Sequence, residues 1–285
     1  MRTQVLRCNE CGAAIAFSAQ HQAPLCGFCG AKMRIEEPTA PIETAQLRLP
    51  FAVDREAATV ALKAWLGKRG WFAPKDLQSQ ATVDSLQPLC WAAWIVNATA
   101  DVSWAADSDA GSQSSDWAPH AGEVALTFTN IAVPASRGLT AAECTKLIPQ
   151  YDLATAVRVD TQVAGETPAM IESFDAQRSA ARALVQQAIE ASAANKVQSG
   201  CIPGRKFRNV HVSCLLSKQT TDRVALPAWV LAYRYRGTPF RAVIHGQRAD
   251  QVFGASPTDM KKVALVVFAI AGVIAAIAAI IALTR

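Results

Sequence analysis

Apolar positions along the chain fall into three patterns, and each predicts a different element. The first is continuous: Val263 to Leu283 carry no charged or strongly polar residue, between Lys261-Lys262 and Thr284-Arg285. About 20 apolar residues in a helix, at about 1.5 Å each, match a hydrocarbon core about 30 Å thick, where a helix satisfies its own backbone. The pattern predicts a C-terminal single transmembrane helix within an anchor over 259–285, with Lys261 and Lys262 at its boundary. Paired lysines at that edge favour the cytoplasmic side. The expected location is therefore the cytoplasmic (inner) membrane, single-pass, with the body in the cytoplasm.

The second pattern is helical. Asp54 can cap a helix in which Ala57, Val60, Ala61, Ala64, Trp65 and Lys68 follow helical spacing up to Gly70. Leu139 to Ile148 predicts a short helix that stops at Pro149. Glu172 to Val197 predicts a long one whose Phe174, Ala181, Leu184, Val185, Ala188 and Ile189 share a face suited to covering a sheet. The third pattern is strand-like, over Leu89 to Trp104, Glu123 to Val133, Phe207 to Leu216, Val224 to Arg236, Pro239 to His245, and a short strand ending at Gly254. Asp107 to Ala121 reads as a flexible loop. Ala93-Trp94-Ile95-Val96 and Ala228-Trp229-Val230-Leu231 echo each other, through two related αβ units sharing a sheet or through chance.

Composition adds a core and a small metal module. With 285 residues, 51% of them hydrophobic, the chain can bury one substantial domain and a small one. Its opening lacks a secretory signal pattern, so the eight cysteines are expected to be reduced. Cys8-Asn9-Glu10-Cys11-Gly12 and Cys26-Gly27-Phe28-Cys29-Gly30 are two Cys-x-x-Cys-Gly knuckles fourteen residues apart. Thiolates three positions apart reach one tetrahedral ion when the backbone turns tightly, and the following glycine tolerates that turn. Cys8, Cys11, Cys26 and Cys29 are thus the candidate ligands of a structural Zn2+. Iron in a rubredoxin-like site, or a thioredoxin-type redox pair, would use the same cysteines, but neither pair sits in a βαβ context. His21 and His120 read as surface and loop histidines. Prolines at 38 and 41 mark a linker. The expected fold class is α+β: a zinc ribbon over 1–37, a linker over 38–50, an α+β body with antiparallel sheets over 51–258, and the anchor.

The net charge of +5 conceals a division. Between Asp76 and Ser136 there is no lysine or arginine, whereas Lys196 to Arg248 hold ten basic residues against Asp222 alone. Arg205, Lys206, Arg208, Arg234, Arg236, Arg241 and Arg248 are the candidates for a lipid-facing basic surface, with a solvated face or nucleic acid as the other readings.

The two knuckles, Leu49-Pro50-Phe51, Trp71-Phe72-Ala73-Pro74, Leu226-Pro227-Ala228-Trp229, Tyr233-Arg234-Tyr235, His245-Gly246-Gln247 and Gly254-Ala255-Ser256-Pro257, with lysines soon after, resemble a family of bacterial zinc-ribbon membrane proteins. Automatic transfer often labels them primosomal-helicase-like or transcription-factor-type zinc ribbons. In that family the hairpin usually reads asparagine-glycine-glutamine-threonine-glycine, whereas His245 takes the first place here and Arg248-Ala249-Asp250 replace the threonine-glycine turn. The resemblance implies a ribbon, an α+β body and membrane anchorage, and brings no catalytic activity. A helicase would need a Gly-x-x-x-x-Gly-Lys-Ser/Thr loop, which this sequence lacks.

No His-Glu-x-x-His, Gly-x-Ser-x-Gly or glycine-rich nucleotide loop is present either, so no enzyme is expected. The expected function is a membrane-tethered adaptor or scaffold that binds a cytoplasmic protein partner. The alternative is a membrane-tethered nucleic-acid-binding ribbon, though Arg2, Arg7, Lys32 and Arg34 give it few phosphate contacts. Small residues four apart, Gly272 and Ala276 among them, would also let copies of the terminal helix associate.

Overall fold

The computed structural model describes residues 5–8, 10, 14–16, 26, 32–36, 43–110, 117–163, 165, 167–174 and 178–283. Near the N-terminus, β1 (Val5–Cys8), β2 (Ala14–Ala16) and β3 (Met33–Glu36) form an antiparallel sheet in the order β2-β1-β3. The body follows as β4 (Leu47–Arg48), α1 (Arg55–Gly67), α2 (Leu77–Gln80), β5 (Thr82–Ser108), β6 (Ala118–Pro134), α3 (Ala141–Leu147), β7 (Val157–Arg158), β8 (Met170–Ile171), α4 (Arg178–Gly200), β9 (Phe207–Tyr235), β10 (Thr238–His245) and β11 (Val252–Gly254), and the chain continues into α5 (Met260–Leu283).

Helix starts follow local chemistry. The Asp54 carboxylate accepts the Ala57 N–H at 2.7 Å and opens α1. Thr140 and Glu143 cap α3 reciprocally, each side chain taking the other's backbone N–H.

The sheet is built on two very long strands. β5 and β9 pair antiparallel from Thr82↔Arg234 to Ser108↔Phe207, with register shifts near Val83, Thr99 and Ala105. At about 3.3 Å per residue such strands run for roughly 90 Å. The two predicted strands within 207–236 are a single element, because the residues between them, Lys218 to Arg223, also pair with β5. β10 returns along β9 through a two-residue turn in which Arg236 (φ 50) and Gly237 (φ 80) are both left-handed. β4 lies parallel on the other part of that edge, with β7 beyond it, and β8 and β6 add to the outer edge of β5. β4 falls within the stretch read as a linker.

The middle of the sheet is covered on both faces, which explains why Leu89 to Val96 are buried without alternation. Leu89, Trp91, Ala93, Ile95, Leu226 and Ala228 pack with Leu139, Leu147 and Tyr151 on the α3 side. On the opposite face, Trp229, Leu231 and Tyr233 meet Ala58, Leu62 and Leu66 of α1. Further along, Trp94, Val96, Ala98, Ala100 and Val102 meet Ile189, Ala193 and Val197 of α4. Beyond the α3 side, β6, β5 and the first half of β9 continue as a three-stranded arm covered by α4 on one face only.

Three expectations are corrected. The body is mostly sheet rather than α+β, because segments that looked like separate strands and loops, such as Asp107-Ser108 and Ala118 to Ala121, extend continuous ladders. Among the described residues no helix is long and apolar enough to cross a membrane, which overturns the transmembrane helix and the inner-membrane location with a cytoplasmic body. The lysine read as a membrane edge has a structural job: Lys262 Nζ donates to the carbonyls of Trp71 and Ala73 at 2.8 and 2.7 Å and clasps the start of α5 to the loop after α1. Lys261 beside it is exposed. Finally, among the described residues no group of three or more His, Cys, Asp or Glu side chains is placed to hold a metal ion. Cys11 and Cys29 lie outside the described residues, so a closed site of four thiolates is not part of the fold described here.

Candidate functional site

The N-terminal sheet brings together the two knuckle cysteines that are described. Cys8 and Cys26 are both buried, within one apolar group. The Cys8 Sγ accepts the Glu10 N–H at 3.4 Å.

The seven basic residues do not form one surface. Arg208 and Arg234 are separated by most of β9, about 80 Å of strand, and the acidic stretch neutralises them locally. Arg208 Nε lies 3.2 Å from Asp107, Arg234 Nε 2.6 Å from Asp84, and Arg236 Nη2 2.9 Å from Asp76. Asp109 accepts the backbone N–H groups of Arg205 and Lys206 at 2.7 and 3.1 Å. Arg241 donates to the Gly138 carbonyl and faces Glu143 at 3.5 Å, and Arg248 pairs with Asp250. Two of these pairs, Arg208–Asp107 and Arg234–Asp84, join β9 to β5, so part of the charge division seen in sequence is complementarity across antiparallel strands.

These contacts act on the carboxylates. The Tyr235 hydroxyl, followed by Arg236, holds the Asp76 carboxyl below its usual range. Asn209, then Arg208, does so for Asp107. The two backbone donors do so for Asp109.

The motif residues scattered over 200 positions meet in the body. Trp229 Nε1 donates to the Val53 carbonyl, Phe51 packs edge-on against the Trp229 ring, and the Gly246 carbonyl accepts the N–H groups of Ala52 and Val53. A Cβ on Gly246 would lie 2.5 Å from the Pro227 carbonyl oxygen, so the close approach requires glycine. Tyr233 donates to the Ala255 carbonyl. His245 Nδ1 accepts the N–H groups of Gln247 and Arg248 at 3.0 and 3.1 Å, and Gln247 in turn holds Asp152 and Thr155. Burial, helped by Arg248, pushes His245 down to about 4, so it is neutral and serves as a turn acceptor.

Tyr151 and Glu172 are also committed internally. Tyr151 accepts from Trp91 Nε1 at 3.0 Å and donates to the Pro227 carbonyl at 2.8 Å. Glu172 accepts backbone N–H groups from Ala92, Arg137 and Gly138, and burial raises its pKa. Burial pushes the Cys90 and Cys144 thiols up to about 12, which leaves them protonated and poor nucleophiles. An open cleft of about 600 Å³ lies over Cys90, between Arg48, Val159 to Val163, and Thr167 to Ala169 with Ile171. Arg48 donates there to the Thr161 carbonyl. His120 sits in β6, not in a loop; His21 lies outside the described residues.

The arm, which sequence reading missed, has a different character. Its uncovered face presents Asp101, Ser103, Ala105, Glu123, Ala125, His211, Ser213 and Leu215, all exposed, with Leu215 at 72%. Among the described residues no strand pairs with the outer edge of β6. The alternation of Val210, Val212, Cys214 and Leu216 with His211 and Ser213 is the signal the sequence offers for it.

No family model matches the chain, and no curated protein or solved structure does so either.

Proposed function

We propose that the protein is a non-catalytic adaptor that binds another protein through the open face of its arm. The observation that carries this reading is the arm itself: β5 and β9 run on beyond the doubly covered sheet, and α4 buries only one side of the extension. Ordering each backbone residue costs about 1–2 kcal/mol, and burial on a single face offsets only part of that, so the extension is best accounted for by a surface held away from the body. The reading is also supported by the internal use of His245, Tyr151 and Glu172, and by the intramolecular pairing of the basic residues, which leaves less positive charge for phosphate. A photoreactive residue in place of Leu215 tests it. A protein that crosslinks there, and whose purified form binds the full chain but not the Leu215→Arg variant, supports the adaptor. Recovery of nucleic acid with steep salt dependence overturns it.

A further inference from the structure

The helix α5 carries a second pattern, independent of the arm. Eight large apolar side chains on it, Leu265, Val267, Phe268, Ile270, Val273, Ile274, Ile277 and Ile280, are each more than half exposed. Together they present on the order of 800 Å², more than a monomer ordinarily leaves bare.

Their order in sequence is not random. Val263, Val267, Ile270, Ile274, Ile277 and Ile281 recur at alternating steps of four and three, a heptad stripe with β-branched residues at both of its core positions. Val266, Val273 and Ile280 flank one side of the stripe, and Ala264, Ala271 and Ala278 flank the other, each at a seven-residue interval. A strict repeat of seven favours supercoiled association of helices over packing on a globular core. Isoleucine at both core positions favours three or four strands over two, and a broad seam with small residues on one flank suits close approach of several helices.

We infer that α5 associates with further copies of itself as a parallel bundle of three or four helices. Cyclic closure sets the helices side by side in the same direction, with the bodies at one end. Lys262 and Asp259 tie the start of each helix to its own body, since the Asp259 N–H donates to the Phe72 carbonyl at 2.7 Å.

Sedimentation of the purified full chain should give a mass three or four times that of one chain. Ile274→Lys, in the stripe, should reduce it to the monomer, whereas Leu265→Lys, on the opposite side, should leave it unchanged. Under oxidation, Ile270→Cys should crosslink copies while Leu265→Cys should not. Both positions are exposed in the single chain, and the near-ultraviolet circular dichroism of the body should be the same in all variants. A monomer, an aggregate without fixed mass, or equal sensitivity at Leu265 overturns the inference. So does a monomeric chain that floats with vesicles of phosphatidylethanolamine and phosphatidylglycerol, or one that holds a different protein in fixed ratio, because lipid or that protein would then cover α5.

Discussion

Arg236, at the tip of the β9–β10 turn, reaches the carboxylate of Asp76, 160 positions earlier, at 2.9 Å, and Tyr235 bonds the other oxygen of the same carboxylate at 2.7 Å. The contact locks the end of the hairpin to the start of α2, and it is the outermost of three pairs joining the acidic and basic stretches. Charge reversal should expose this coupling. Asp76→Arg and Arg236→Asp should each lower the melting temperature, and the double variant should recover part of the loss. Thermal unfolding of the four chains measures it; strictly additive effects would show that the pair is not coupled.

The carboxylates of Asp76, Asp107, Asp109 and Asp250 all titrate below their usual range. A depressed acid contributes stability above its unfolded pKa, about 3.9, which is lost as pH falls through the lower folded value. The melting temperature should therefore drop on acidification below about pH 4, and substituting Asp107 and Asp109 by asparagine should shallow that drop.

His245 titrates in a separate window. Its folded value of about 4 lies below the unfolded value of about 6.5, so the unfolded chain binds more protons between them and stability falls as pH is lowered through that range. Protonation would also place a hydrogen on Nδ1, where two backbone N–H groups now donate. His245→Asn keeps an acceptor for both, and should flatten the pH dependence of unfolding between about 6.5 and 4 while leaving the neutral-pH fold intact.

Tyr151→Phe should destabilise the body by about 1–3 kcal/mol, because the Pro227 carbonyl and Trp91 Nε1 each lose a buried partner. Urea unfolding at neutral pH reads the loss, and an unchanged midpoint would mean that water replaces the hydroxyl.

Much of the local structure was legible. Asp54 marked the start of α1, the alternation from Val124 to Phe128 marked β6, and the glycine at 246 sat where the chain turns back. The capping box at Thr140 and Glu143 was readable but missed. The length of β5 and β9 was not legible, since Arg223, Asp222 and the threonines at 220 and 221 look like a break between strands. They continue the ladder only because Trp94, Ile95, Val96 and Asn97 pair opposite them. The candidate site suffered the same limit: a one-faced arm exists only once both long strands are paired.

The sequence by itself determined the caps, the alternating and continuous apolar runs, the heptad in α5 and the division of charge, because each depends on neighbours within a few positions. Only the tertiary structure decided what those features meet. It set the acidic stretch against the basic one, turned Lys262 into a clasp for the 71–73 loop, placed Phe51 and the Val53 carbonyl on Trp229 at one face of the sheet, and set His245 against Tyr151 at the other. Those outcomes rest on antiparallel pairing and shared burial between residues far apart in the chain, and such contacts have no local periodicity to announce them.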